Sequence, residues 1–399
     1  MRRKNLLVLS LVIILSLLVC KNVKASDVRG VTDKSIKIGL IGDHTGPASS
    51  VAMPAIKAIK NYIKYINESG GVHGRKLKII EEDTRYSIPA AISAYKKLVY
   101  KDAIFAMQSV ATGSSVNVIW KSVQKDKLPF VSIAMNDVTV KPYKRYIFIV
   151  SDVYSGQAKT LVDYIVNDLK LKKPRIGLVH PDSEAGKVDR KAVLERLKMY
   201  KMKPASIEIL NTGSFDASSQ VMSLKRAKVN CLLTVGYVPQ PVVVLLRDMR
   251  KFGLKAPVFG SFGTCSEETI QGAGEAAKEF YAVSAMASWY DEGHGVAKMR
   301  EITLKYHPGT EKPYRGKLYT QGWVDALVMI EGLKRTGREL NTEALIDAME
   351  TIKNFDTGGL CGHITYSSTS HKGGNTWKIF KADIASGKLI PLTGWRVPK

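Results

Sequence analysis

Short β-branched runs alternate with amphipathic helical stretches along almost the whole chain, and that alternation restricts the fold more than any other feature. Ser35–Ile41 (SIKIGLI) reads as a first strand that ends in the turn Gly42-Asp43-His44-Thr45-Gly46-Pro47. In Pro54–Asn67, the residues Ala55, Ile56, Ile59, Ile63 and Ile66 recur at helical spacing, and Gly70-Gly71 stops the helix. Leu77–Glu81, Ile104–Met107 and Pro129–Ile133 read as further strands, with helices at Ala90–Tyr100 and Ser114–Lys125. Strands separated by helices of this length imply parallel βαβ units. The cadence then restarts. Arg175–His180, Ala205–Leu210, Asn230–Val235 and Pro257–Gly260 read as strands, interleaved with helices Ala185–Met202, Ala217–Ala227 and Gln240–Phe252. Two equal series predict two Rossmann-like lobes rather than one oversized sheet. Phe280–Ala287 reads as another strand, followed by helices Gly295–Tyr306, Leu318–Arg335 and Thr342–Thr351 with no strand between them. The tail changes character: Gly362–Tyr366 and Trp377–Ala382 read as a hairpin closed by His371–Gly374, whose strands return to cap an existing lobe.

The first residues bear on the compartment. Arg2, Arg3 and Lys4 precede Leu6–Val19, an apolar run interrupted only by Ser10 and Ser16, and Val23-Lys24-Ala25 then places small residues at minus three and minus one. That is the order of a secretory signal. The run is shorter than the roughly 20 residues a spanning helix needs, so a retained anchor is the weaker alternative. Cys20 raises a lipoprotein reading, but Val19 stands where a lipobox wants Gly, Ala or Ser. Cleavage after Ala25 is expected, leaving a soluble periplasmic protein of 399 − 25 = 374 residues, enough for two domains.

The formal charge is +24, and the signal holds five bases and no acids, so the mature chain carries 24 − 5 = +19. Three explanations compete: cations spread over solvated faces, a bias toward an anionic solute, and nucleic-acid binding. The last is weakest, because the basic residues are scattered without aromatic interleaving or a known module; no nucleic-acid partner is expected. After cleavage Cys231, Cys265 and Cys361 remain, with no CxxC pair and no metal spacing to the seven histidines. Neither a metal nor another cofactor is expected. The count allows one disulfide without choosing the pair.

Catalytic signatures are missing: the chain has no GxSxG elbow, HExxH, P-loop or CxxCH. Gly272-Ala273-Gly274-Glu275-Ala276-Ala277 fits a loose GxGxxA pattern, but Thr269–Gln271 just before it reads as helix, where a dinucleotide site needs a strand. No enzyme is expected. Among the histidines, His180 at a strand's carboxyl end is the one placed to approach a ligand.

In order and spacing, several segments resemble the branched-chain amino-acid (leucine/isoleucine/valine-type) substrate-binding proteins of ABC transporters, with their type I periplasmic binding fold. They are Ile36-Lys37-Ile38-Gly39 followed by Thr45-Gly46-Pro47, the stretch Ile66–Leu77 (INESGGVHGRKL), Glu82–Ser87 with Pro89, and Lys127–Ser132 (KLPFVS). The resemblance covers Ile36 to Trp395. It implies an α/β fold of two lobes joined by three crossovers, near Ile147–Ser151, Ala282–Ala287 and Asp356–Leu360. Lobe 1 would comprise 26–148 plus 286–357, and lobe 2 149–285 plus 358–399. It further implies a monomer that captures a small solute by lobe closure and delivers it to ABC permease membrane subunits. A sensor that passes its closed state to a membrane receptor is the alternative.

The resemblance also implies contacts. A solute carboxylate would be held at Ala111-Thr112-Gly113-Ser114-Ser115, where a helix N-terminus offers free N–H donors to an anion; Ser114 and Ser115 would otherwise be caps. Asn136 would stand in for a family hydroxyl. Tyr154 and Tyr237 would come from the second lobe, Tyr237 being equally placed for packing. Phe262 aligns where amino-acid binders carry an acid for the α-ammonium. An unpaired buried ammonium costs several kcal/mol, so a carboxylate without an ammonium is favoured over a standard amino acid, with an aromatic acid as one option. Asp152 and Asp182 are the other candidate ammonium partners, and Val51 and Ala185 stand where the leucine binder's cleft aromatics fall.

Overall fold

The computed structural model describes residues 28–111, 113–309 and 316–398. The expected signal, its cleavage site and Cys20 lie outside the described residues. The first sheet holds β1 (Ser35–Gly42), β2 (Lys76–Asp83), β3 (Ala106–Val110), β4 (Phe130–Ser132) and β5 (Ile147–Phe148), in the order β2-β1-β3-β4-β5 and parallel throughout. The connecting helices are α1 (Ser49–Glu68), α2 (Ile88–Lys96), α3 (Gly113–Lys125) and the short α4 (Asp137–Val140). The periodicity of α1 does what it implies: Ala55, Ile56, Ile59, Ile63 and Ile66 are all buried.

The second sheet is built by the second series. It contains β6 (Ile176–His180), β7 (Ser206–Ile209), β8 (Cys231–Thr234), β9 (Val258–Gly260), β10 (Phe280–Ser284), β11 (Lys378–Asp383) and β12 (Lys388–Pro391). Its order is β12-β11-β10-β9-β8-β6-β7, parallel from β7 to β10 and antiparallel at β11 and β12. Helices α5 (Tyr154–Asn167), α6 (Glu184–Met199), α7 (Ser218–Arg226), α8 (Pro239–Lys251) and α9 (Glu267–Ala273) belong to it. Three more, α10 (His294–Tyr306), α11 (Lys317–Thr336) and α12 (Thr342–Glu350), follow β10. Here α11 packs along α1, so closely that a methyl on Gly322 would lie 2.3 Å from the Ala55 carbonyl oxygen.

The tail departs from expectation. Trp377–Ala382 does not pair with Gly362–Tyr366. Instead β11 adds to the open edge of β10 and turns back into β12. The turn residues are Ile384-Ala385-Ser386-Gly387: Gly387 has a φ of +66°, and the Ser386 hydroxyl and Ala385 N–H donate to Asp383. Gly362–Tyr366 meets the chain before it, through a bridge of Ile364 to Phe355. An unpaired β10 edge offers a full ladder of partners, which the expected pairing with Gly362–Tyr366 does not. The GxGxxA segment begins inside α9, at Gly272, so a helix and not a strand leads into it.

Candidate functional site

Parallel strands in each lobe end at the same side, and the loops leaving those ends meet across a cleft. Lobe 1 contributes the β3–α3 turn and the β4–α4 turn. Lobe 2 contributes the start of α5, the β6–α6 and β8–α8 turns, and the short 3₁₀ turn Phe262–Thr264 after β9. Contacts already bridge the two sides: the Tyr154 N–H donates to the Met135 carbonyl at 2.8 Å, and the Ser155 hydroxyl donates to Asp137 Oδ1 at 2.8 Å.

Helix N-termini dominate this rim. The N-caps of α5 (Val153) and α8 (Val238) provide no side-chain acceptor; the Tyr154 and Gly156 N–H groups go to the Met135 and Val153 carbonyls and Pro239 and Pro241 have none, which leaves Ser155 and Gln240 as the first-turn donors. Helix α6 differs, with Ser183 Oγ accepting from the Gly186 N–H. At α3, Ser115 is buried and Ser114 exposed; Thr112 lies outside the described residues. Asn136 is buried and lies directly against this helix start, since a methyl on Gly113 would sit 2.0 Å from Asn136 Oδ1. Glycine at 113 is what allows that approach. The structure therefore brings Ser115, Asn136 and Tyr154 to one place.

Phe262 stands on the opposite wall. It lines an interlobe cavity of 80 Å³ together with Ser50 and Pro54 of α1, Ser266, and Lys317 at the start of α11. Its backbone N–H donates to Gln157 Oε1 at 2.9 Å, and Gln157 Nε2 donates to Asp189 Oδ2 at 3.0 Å. Asp189 is wholly buried. Burial lifts its carboxyl to about 8, against the opposing hydrogen bonds from Gln157 and the Gly236 N–H and with the charge of Asp137 adding to the rise. Across from it, Asp137 Oδ2 is buried and has no hydrogen-bond partner among the described residues.

Other candidates are already occupied. The Tyr237 ring is in the lobe 2 core and its hydroxyl donates to the Leu210 carbonyl at 2.7 Å. Gly236, with a φ of +76°, turns the chain so that Tyr237 faces inward. Asp152 accepts from Lys372 Nζ at 2.6 Å and from Trp377 Nε1 at 3.2 Å. Asp182 is exposed and paired with Lys187 at 2.7 Å. His180 is buried, with Nδ1 2.9 Å from the Pro181 carbonyl. Cys231, Cys265 and Cys361 are buried free thiols, so no disulfide links them. Burial pushes Cys265 up to about 11, with the neighbouring Lys317 ammonium opposing the rise.

Sequence reasoning missed Gln157, Asp189, Asp137 and Lys317. Asp189 was findable: it shares a face with Val193 and Arg196 on α6, an acid at a position that helical spacing marks as buried. Lys317 carried no such signal. A larger open hollow of about 750 Å³ lies elsewhere, lined by Asn354, Asp356, His363, Asn375 and Trp395 among others. It is walled by the third crossover and the tail, beside the segments that follow β5 and β10, whereas the turns of the cleft leave the carboxyl ends of β3, β4, β6, β8 and β9. In open α/β sheets those ends are where ligands sit, so the cleft is the candidate site.

Two parallel sheets that face each other across such a cleft define a two-lobed α/β solute binder. The periplasmic binding protein family model matches residues 35–388. The chain belongs to that family. A Leu/Ile/Val-binding protein homolog from Brucella melitensis is 23% identical over 362 residues, 90% of this chain and 93% of its own. A branched-chain amino acid ABC transporter structure from Thermus thermophilus, with bound valine, superposes with a TM-score of 0.83 at 21% identity, covering 92% of this chain and 97% of that one. A fatty acid ABC transporter substrate-binding protein from Thermomonospora curvata gives 0.78 at 22% identity over 93% and 95%. These likenesses bear out the two-lobed type I fold.

Proposed function

We propose that this protein is the exported solute-binding component of an ABC importer, and that it captures a small carboxylate between its lobes. The observation that carries the reading is the cleft itself: the starts of α5 and α8, without side-chain caps, face it from lobe 2, and Lys317 of lobe 1 adds a cation beside Phe262. Donors on opposite lobes are satisfied by one anion only when the lobes close, which couples binding to closure. The closed surface is then what the membrane subunits of a permease read. Phe262 favours a solute with an apolar or aromatic body.

One observation supports an amino acid instead. Asp137 keeps a buried, unpartnered oxygen at the rim and would suit an ammonium. A thermal-shift panel separates the two. A solute at 100 times its dissociation constant adds about 2.7 kcal/mol. Aliphatic and aromatic monocarboxylates are expected to stabilise the protein; stabilisation by leucine or valine alone would overturn the carboxylate reading in favour of Asp137.

A further inference from the structure

We propose that the end of lobe 2 remote from the cleft is an electrostatic docking face for an anionic lipid bilayer. Lobe 2 strands run parallel from β7 to β10, so every helix returns to the same end before the next strand begins. Four of those return loops, 168–175, 198–205, 225–230 and 250–257, hold thirteen lysines and arginines and one acid, Asp168, which is paired with Arg396 at 2.6 Å; the fifth, 274–279, holds Lys278 with Glu275 and Glu279 and bounds the face. All thirteen are exposed, and none is in an ion pair among the described residues. The loops adjoin one another: the Ala205 N–H donates to the Ile176 carbonyl beside Arg175, Asn230 bonds both Arg175 and Lys173, Arg175 donates to the Ala227 carbonyl, and Lys225 donates to the Phe252 carbonyl.

Helix dipoles explain part of this. Cations in the last turn of a helix offset its negative end, which covers Lys198, Lys225, Arg226, Arg250 and Lys251. Lys172, Lys173, Lys201, Lys203, Lys228 and Lys255 lie beyond the helix ends, outside the dipole's short reach. Moreover Lys170, Lys201 and Lys228 adopt left-handed backbone conformations, with φ of 52°, 54° and 54°. Glycine fits such sites without steric cost and serves at Gly253 in the fourth loop. Lobe 1 has one such lysine, Lys127, but its corresponding end is mixed in charge: Asp33, Asp102 and Asp126 interleave with the bases, and Arg145 is held by Glu343, Asp347 and Glu350.

The chemistry of the face fits a bilayer better than a nucleic acid. It is mostly lysine, which reads diffuse charge without the bidentate geometry of arginine. Tyr200 and Phe252 are packed against the cores, leaving no aromatic in these loops for base stacking. Met199, 71% exposed, adds an apolar side chain among the cations. An exported protein meets anionic headgroups at the membrane surface, so the inference draws its partner from the proposed function, while its test does not require the solute.

Each basic side chain near an anionic bilayer is worth roughly fivefold in partitioning. Full-length mature protein is to be sedimented with phosphatidylcholine vesicles, with and without phosphatidylglycerol, at low and high salt. Binding is expected only with phosphatidylglycerol, falling as salt rises, and falling more than ~100-fold when Lys172, Lys173, Lys201, Lys203, Lys228 and Lys255 are changed to Glu. A control changes Lys64, Lys78, Lys96, Lys121, Lys298 and Lys334 to Glu, an equal charge change on exposed lobe 1 sites. The control is expected to retain most of the binding. Equal loss in both variants, no binding to phosphatidylglycerol vesicles, or tighter binding to a single-stranded oligonucleotide would each overturn the proposal. Thermal melting of both variants checks that they are folded.

Discussion

Asp189 shows how one residue couples burial to charge. Its carboxyl sits at about 8 in the folded chain because no solvent reaches it, against 3.8 when exposed. A raised folded pKa gives stability that is whole below the unfolded value and lost as pH rises toward the folded one. Between about 4 and about 8, stability from this group therefore falls by ~1.4 kcal/mol per pH unit. Asp189→Asn preserves the acceptor for Gln157 and removes the proton. Its denaturation midpoint should depend less on pH across that window than the wild type's, and an unchanged slope would count against a buried neutral Asp189. Gln157→Ala strips both the Asp189 contact and the acceptor of the Phe262 N–H. It should cost about 1–3 kcal/mol in urea unfolding, as a buried polar group is left unpaired. The thiols follow the same logic: burial pushes Cys361 up to about 12. All three cysteines should react with an aromatic disulfide reagent only after unfolding, and fast labelling of the native protein would contradict their burial.

Elements owe their positions to spacing where spacing is local, and this is where the sequence was most readable. The buried face of α6 could be traced through Asp189, Val193 and Arg196, and the α1 face through its isoleucines. Arg196 closes a fork on Asp163 of α5, with bonds of 2.6 and 2.7 Å, both side chains buried. Removing one partner leaves a buried charge, so Arg196→Ala should cost about 3–5 kcal/mol by chemical denaturation. What spacing does not contain is the partner of a short strand. The β11–β12 ribbon joins the β10 edge, a decision made by a neighbour distant in sequence, and so the tail was paired wrongly. Tyr237 is the same problem at a turn. Its place after β8 suggested the cleft, but the left-handed Gly236 decides which way the ring points.

At the scale of the whole molecule, the two lobes and their opposed strand ends followed from counting two βαβ series, whereas the cleft's chemistry did not. Ser115, Asn136 and Tyr154 on one wall and Phe262 on the other were named from a family pattern, yet the polar groups around them, Asp137, the neutral Asp189 and Lys317, became visible only when the lobes were placed face to face. Two places now compete: the interlobe cleft, with Asn136 on its lobe 1 rim, and the larger groove at the third crossover, lined by Asn375. The most direct measurement is a calorimetric titration of the best-stabilising solute from the panel into wild type, Asn136→Ala and Asn375→Ala. One solute per chain is expected, bound at least tenfold more weakly, about 1.4 kcal/mol, by Asn136→Ala and unchanged by Asn375→Ala. Loss of binding in Asn375→Ala with Asn136→Ala unaffected would put the solute in the groove and contradict capture between the lobes.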